Sequence, residues 1–383
     1  MRALSGSSTE VQNISKCDDS SVVVAALEKM PELIDIKAAG TAMRFLTSLL
    51  TTVSGEHVIT GTERMRNRPI GVLVDALRTI GADITYEEKE GFPPLRISGR
   101  KPEGGHLCLP GNVSSQYISS LMMIGPTLHR GLHLELTGEI LSRPYIDMTL
   151  SMMREFGAKA RWTSEKEIRV EPVAYKPVAY RVESDWSAAS YWYEMVALSE
   201  DAQASIVLPG LFRESLQGDS AVAELFSDLG VRTTYLAGNS VQLSKSGSAV
   251  KRFTKDLSGQ PDLAQTVIVT CCLLGIPFHI TGLQTLRIKE TDRIAALQRE
   301  LGKLGFTVDS IGDDAMTWNG EKQNTATDHT DHGIDTYEDH RMAMAFAPVA
   351  LRTGTIVINN PEVVTKSYPE FWNDLTKAGF SLT

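Results

Sequence analysis

The chain has 383 residues, which suggests at least two domains. At 42% hydrophobic and 22% charged residues it is not a disordered, collagenous or disulfide-stapled protein. Its 38 basic against 47 acidic residues leave a net charge of −9, so an anionic ligand needs a local basic cluster, and nucleic acid is not an expected partner. The longest apolar run, Val267 to Phe278, is too short for a membrane span and is broken by Gly275 and Pro277. The opening residues, MRALSGSSTE, lack the apolar core of a signal peptide. Cys17, Cys108, Cys271 and Cys272 show no zinc spacing, and the last two read as core. A cytoplasmic protein with reduced thiols is expected.

Read in chain order, the sequence repeats. Strand-like segments end in turns at Gly61, Gly138, Gly210, Gly282 and Asn360, a step of about 75 residues. After each turn a basic or polar stretch leads into an amphipathic helix, as in RPIGVLVDALRTIG and RPYIDMTLSMMREFG. These helices are predicted to end near Gly81, Gly157, Gly230, Gly305 and Gly379, where glycine suits a left-handed C-cap. Pro69 and Pro144 stand where a first helical residue is expected. Upstream of each turn a second helix is predicted to start, at Gly40, Ser114, Asp185, Asp262 and Asp339. Strand-like text such as ADITYEE, AKARWT and VRTTYL follows the amphipathic helices. The fold class is α/β, with several small modules in each of two domains. The predicted domains are 1–183 and 184–383, with a hinge near Val182 to Asp185. At the N-terminus, Ser5-Gly6 reads as a helix exit and Ser8 to Ile14 as the strand after it. The repeat therefore places the start of that first helix upstream of Met1.

Polar residues gather at two places per repeat, the start of the first helix and the turn before the second. Helix starts offer free N–H groups and the positive end of the dipole. Arg64, Arg68, Arg287, Lys289, Arg293, Arg341 and Lys366 join them. Cations at matched positions in an acidic chain point to one polyanionic ligand or two anionic ones. In KAAGTAMR, Gly40 would let a ligand approach the backbone. Ser114-Ser115-Gln116 could hold phosphate or carboxylate or simply cap a helix, and Ser142 and Tyr145 flank Arg143-Pro144. Asp262 opens an apolar helix, either as its N-cap or as a general base. Glu290 lies between Lys289 and Arg293, and His340 beside Arg341 could orient a loop. No metal-binding motif, Walker loop or GxGxxG is present.

The strings GTAMR, RMRNRPIG, VSSQY, SRPYIDMTL, IKETDR and EDHRMAMAF, with Lys366 before Tyr368-Pro369, resemble the 5-enolpyruvylshikimate-3-phosphate synthases across essentially the whole chain. The resemblance implies a two-domain enolpyruvyl transferase-type fold of βαβαββ units, with helix starts converging on an interdomain cleft. It implies transfer of the enolpyruvyl group of phosphoenolpyruvate to the 5-hydroxyl of shikimate 3-phosphate in aromatic amino-acid biosynthesis. It also implies no cofactor or metal, and a monomer. Ser114, Ser115, Gln116, Ser142, Tyr145, Asp262 and Lys289 would bind shikimate 3-phosphate. Gly40, Arg68, Gln116, Arg293, Arg341 and Lys366 would surround phosphoenolpyruvate. Asp262, Glu290 and Lys366 would be catalytic. The chain departs from the family pattern in lacking the N-terminal Lys-Ser-x-Ser-x-Arg segment, and with it the strand that normally crosses to the second domain. Ala38, Phe45 and Thr285 replace the usual asparagine, proline and asparagine, which bears on substrate affinity and glyphosate response. The rival readings are a truncated, non-catalytic anion-binding remnant and the sister transferase acting on UDP-N-acetylglucosamine.

Overall fold

In a computed structural model, which describes residues 1–6, 9–323 and 333–383, Gly81, Gly157, Gly230, Gly305 and Gly379 all have positive φ, from 82° to 103°. Each stands two residues beyond a helix end, where an L side chain would be strained, so the glycine spacing marks true helix stops. The chain divides into two units, Met1–Val182 and Glu183–Thr383.

The first unit opens with a short 3-10 turn, Ala3–Ser5, that leaves through Gly6 in the left-handed region. β1 (Val11–Gln12) and α1 (Asp18–Lys29) follow. The first complete module is β2 (Leu33–Asp35), α2 (Gly40–Leu50), β3 (Gly55–Thr60), α3 (Glu63–Arg66), α4 (Gly71–Thr79), β4 (Asp83–Tyr86) and β5 (Leu95–Gly99). The second is β6 (Gly105–Pro110), α5 (Ser115–Ile124), β7 (Leu132–Thr137), α6 (Arg143–Glu155), β8 (Ala160–Trp162) and β9 (Glu167–Val170), with β10 (Tyr180–Arg181) closing the unit. Both sheets share one order, β2-β3-β5-β4 and β6-β7-β9-β8. In each, the first pair is parallel across a helix and the others are antiparallel. Ser8, in the predicted strand from Ser8 to Ile14, lies outside the described residues. The strand itself is shorter than expected: β1 pairs in parallel with β10, and Asn13 donates to the Val182 carbonyl at 2.9 Å.

The second unit runs α7 (Trp186–Leu198), β11 (Ser205–Pro209), α8 (Val222–Asp228), β12 (Val231–Leu236) and β13 (Ser240–Lys245). It continues with β14 (Phe253–Asp256), α9 (Ala264–Leu274), β15 (Phe278–Thr281), α10 (Arg293–Lys303), β16 (Asp309–Ile311) and β17 (Ala315–Trp318), then α11 (His340–Phe346), α12 (Ala350–Thr353) and α13 (Phe371–Lys377). The sheet β14-β15-β17-β16 repeats the order of the first unit, and β11-β13-β12 is a three-stranded version of it.

Two local expectations differ. The text TIVINN, ending at Asn360, makes only a single parallel bridge, Ile334 to Ile358. Ile334 N donates to Val357 O at 2.8 Å and Asn359 N to Ile334 O at 2.9 Å, and the pairing goes no further. Pro69 precedes its helix instead of starting it, because the intervening α3 takes up the chain and Ile70 is the residue before α4. Pro144 does lie in the first turn of α6.

Helix burial sorts into two kinds. The helix between the first two strands of a module is an inner helix: α2 packs on α5, and α7 and α11 on α9. In α9 every residue from Ala264 to Cys272 is buried, and in α7 every residue except Ala188. Two hydroxyl pairs cross the contacts, Ser48 with Ser120 at 3.0 Å and Ser190 with Thr266 at 3.1 Å. The outer helices α4, α6 and α10 bury one stripe each, as their amphipathic sequences require. Cys271 and Cys272 are core residues of the second unit.

Candidate active site

The two polar regions of each repeat come together at one end of the module. Thr62 N donates to the Lys37 carbonyl at 3.0 Å, Leu141 N to Gly111 O at 3.1 Å, Ser184 N to Gly210 O at 2.9 Å and Leu257 N to Thr281 O at 2.9 Å. Each bond ties the turn after the second strand to the loop that enters an inner helix. The loop residues therefore cluster at the helix starts, where unpaired N–H groups favour anions.

In the first unit, α2 begins at Gly40 with no side-chain cap. A Cβ there would sit 2.8 Å from Arg68 Nη1 and 3.0 Å from Arg44 Nη1, so glycine is what lets two guanidinium groups lie against the helix start. Arg44 is buried and donates to Gly40 O at 2.9 Å. Gln116 donates from Nε2 to Thr41 Oγ1 at 2.9 Å, which joins the starts of α2 and α5. Tyr117, the next residue, donates to Pro69 O at 2.6 Å and fixes the loop that carries Arg68. Ser114 caps α5 through Gln116 N at 3.4 Å, and Ser115 is the first helical residue. Ser142 precedes α6 in the left-handed region and does not cap it. Tyr145 stands one turn on, where its carbonyl accepts from Thr149, whose hydroxyl meets Ser119 of α5 at 2.9 Å.

In the second unit, Arg293 is the hub. It is 1% exposed and donates to three carboxylates: Asp262 Oδ1 at 2.9 Å, Glu290 Oε2 at 2.9 Å and Asp339 Oδ2 at 2.7 Å. Asp262 also receives Arg341 Nη2 at 3.0 Å and has Lys289 Nζ at 3.4 Å. Lys366, at the end of a 3-10 turn, bonds to the Glu290 carboxylate. Asp339 caps α11 through Arg341 N at 2.9 Å. Burial alone would push the Asp262 carboxyl up, but Arg341, Lys289 and Arg293 together hold it well below the ordinary carboxylate range. Burial likewise opposes the charge on Asp339, and Arg293 beside it keeps that carboxyl low. His340 is pushed down to about 3 by burial and by the charge of Lys366, so it is neutral near pH 7.

Asp262, Lys289, Glu290, Arg293, Arg341 and Lys366 thus form one ionic cluster, with Asp262 in a 3-10 turn, Pro261–Leu263, just before α9. Arg287 is drawn elsewhere, to Asp292 at 3.1 Å and Asp313 at 3.2 Å. Sequence reading treated Asp339 only as a helix start, although that signal also located the third carboxylate on Arg293. It missed Asp219 and Tyr191, which are buried and lie in the electrostatic surroundings of Arg341. Among the described residues, no group of three His, Cys, Asp or Glu side chains is placed to hold a metal ion, and no helix is long and apolar enough to cross a membrane.

Repeated βαβαββ modules with cation-lined helix starts define an α/β protein of the enolpyruvyl transferase type. Residues 1–375 match the family EPSP synthase (3-phosphoshikimate 1-carboxyvinyltransferase). A 3-phosphoshikimate 1-carboxyvinyltransferase from Bacteroides fragilis is 55% identical over 382 residues, covering 100% of this chain and 92% of the relative. One from Shewanella pealeana is 36% identical over 337 residues, 88% of this chain and 76% of the relative. An EPSP synthase structure from Acinetobacter baumannii superposes with a TM-score of 0.76 over 99% of this chain and 93% of that one, at 22% identity. The chain belongs to the EPSP synthase family.

Proposed function

We propose that the chain transfers the enolpyruvyl group of phosphoenolpyruvate to the 5-hydroxyl of shikimate 3-phosphate and releases phosphate. The observation that carries this reading is the cluster on Arg293, in which Asp262 and Glu290, each tied to further cations, are bonded to the two ends of one guanidinium. Ser114, Ser115, Gln116, Ser142, Tyr145 and Lys289 bind shikimate 3-phosphate. Gly40, Arg68, Gln116, Arg293, Arg341 and Lys366 take the phosphate and carboxylate of phosphoenolpyruvate. These anions can be desolvated only against paired donors.

Asp262 takes the proton of the attacking hydroxyl as its oxygen bonds to the substituted carbon of phosphoenolpyruvate. An ion-paired carboxylate is a poor base, so the anionic substrates must first draw Arg341, Arg293 and Lys289 toward themselves. That raises the proton affinity of Asp262 when it is needed. The Glu290–Lys366 pair delivers a proton to the methylene carbon, which makes its neighbour electrophilic. The resulting tetrahedral adduct gives a methyl proton back to the pair as the bond from carbon to the phosphate oxygen breaks, and the departing phosphate takes the proton held by Asp262. The products are the enol ether and phosphate. The same reading makes the chain a cytoplasmic monomer of the aromatic amino-acid pathway, which fits its acidic balance and four free cysteines. Phosphate release measured with both substrates, and with each alone, tests it. Turnover that needs both supports the reading, and none with both refutes it.

A further inference from the structure

Glu300 is a buried carboxylate outside the ionic cluster, and the reaction just described does not use it. It lies on α10 and is 0% exposed. Its Oε1 accepts from the Tyr337 hydroxyl at 2.5 Å and its Oε2 from Asp335 N at 3.0 Å, while Lys303 Nζ pairs with Oε2 at 2.7 Å. Asp335 and Tyr337 belong to the segment that enters α11, the helix that carries Arg341.

The same helix grips that segment a second time. Arg293 stands about two turns before Glu300 on the buried face of α10. It donates to Asp339 at 2.7 and 3.3 Å. Between the two grips, Tyr337 and Glu338 have φ of 53° and 57°. Two successive left-handed residues, neither of them glycine, are costly, and such a conformation persists only where the surroundings hold it. Lys303 strengthens the first grip by donating to Gly333 O at 3.0 Å and Asp335 Oδ2 at 2.8 Å, and Asn359 donates to Asp335 Oδ1 at 2.7 Å. Asp339 N donates to Thr336 O at 2.8 Å and closes the loop. The chain then passes straight into the site. Asp339 caps α11 by accepting from Arg341 N at 2.9 Å, and Arg341 Nη2 reaches Asp262 at 3.0 Å.

We propose that Glu300 is a positioning residue for phosphoenolpyruvate: by holding Asp335 N and the Tyr337 hydroxyl, it keeps the left-handed pair in place and so sets where α11 begins and where Arg341 meets its anion. Glu300 touches no reacting atom and acts through that loop. Released from Glu300, the pair relaxes toward ordinary backbone angles, which turns the start of α11 and displaces Arg341. A guanidinium misplaced by about 1 Å loses the geometry of a charge-assisted pair, and binding weakens about 10-fold or more. The inference rests on the proposed role of Arg341 as a ligand of phosphoenolpyruvate.

The test compares phosphate release and thermal unfolding of the full chain with those of Glu300→Gln and Tyr337→Phe, with Arg341→Lys as the reference for a misplaced cation. In Glu300→Gln one carbonyl oxygen is left for two donors, and the pair with Lys303 loses its charge. Tyr337→Phe removes one donor and leaves Asp335 N and Lys303 on the carboxylate. KM for phosphoenolpyruvate is expected to rise about 10-fold or more in Glu300→Gln and about 3-fold in Tyr337→Phe. KM for shikimate 3-phosphate, most of whose proposed ligands lie in the first unit, should move less than about 2-fold. A residue that only stabilises the fold would lower the melting temperature and the active fraction, which reduces apparent kcat and leaves KM where it was. An unchanged KM for phosphoenolpyruvate in Glu300→Gln, beside a raised one in Arg341→Lys, overturns the role of Glu300 alone. Equal rises for both substrates do the same. A KM for phosphoenolpyruvate that Arg341→Lys leaves unchanged, or a wild type without turnover, overturns the reading of the site and this inference with it. If Glu300→Gln does not fold, Tyr337→Phe decides, and an unchanged KM there overturns the proposal.

Discussion

Arg293→Lys isolates what the ionic hub contributes. The guanidinium donates to Asp262, Glu290 and Asp339 through Nη1, Nη2 and Nε, and a lysine at the same place keeps the charge but meets about one of those carboxylates. Each lost charge-assisted bond costs about 1.5–3 kcal/mol, and breaking a buried pair costs about 3–5 kcal/mol. Lys366 still holds Glu290, and Arg341 and Lys289 still hold Asp262, so the loss falls mainly on Asp339, at 0% exposure. A net cost of about 3 kcal/mol follows. For the second unit, 383 − 182 = 201 residues, that lowers the melting temperature by roughly 6–12 °C. The pH dependence has a definite sign. Asp262 and Asp339 both have carboxyls held below their ordinary range. Their stabilising contribution is therefore present above the unfolded value of about 3.9 and is lost as pH falls through the folded values. Thermal unfolding of both proteins from pH 7 down to pH 3 should show the full gap at pH 7 and a shrinking one below about pH 4. A gap under about 2 °C at pH 7 would refute the hub as a source of stability.

Asp262→Asn should leave substrate affinity largely intact but lower kcat about 10²-fold or more, the loss expected for a general base; unchanged turnover in a phosphate-release assay would remove that role. Gly40→Ala places a methyl 2.8 Å from Arg68 Nη1, so the guanidinium must move: KM for phosphoenolpyruvate should rise about 10-fold or more while the melting temperature changes little, and an unchanged KM would contradict this. Glu194, fully buried on α7, has its carboxyl raised well above the usual value by burial. Its protonated form suits the fold, and that stability is lost as pH rises through the folded value, so Glu194→Gln should be the more stable protein in alkaline melts. The reverse order would show that Glu194 is ionised and paired.

Much of this architecture was legible because repeats print their punctuation. Glycines two residues past five helix ends, and helix starts at Gly40, Ser114, Asp185 and Asp339, follow from local backbone requirements that a single sequence carries. Four of the seven cations singled out at matched repeat positions, Lys289, Arg293, Arg341 and Lys366, meet in one ionic cluster. What spacing cannot show is which partner a side chain chooses. Arg287 and Lys289 are two residues apart, yet Arg287 turns to Asp313 and Lys289 to Asp262. Asp219 meets Ser187 across 32 residues without any motif. Pro69 looked like a helix start because α3, a single turn, has no periodicity to announce it.

Phosphate release by the full chain, with wild type and Asp262→Asn compared at matched concentration, tests the assignment of enolpyruvyl transfer to this cluster most directly. Release should require phosphoenolpyruvate and shikimate 3-phosphate together, match the enol ether formed mole for mole, and fall about 10²-fold or more in the variant. Equal release from phosphoenolpyruvate alone, or none with both substrates present, would contradict it.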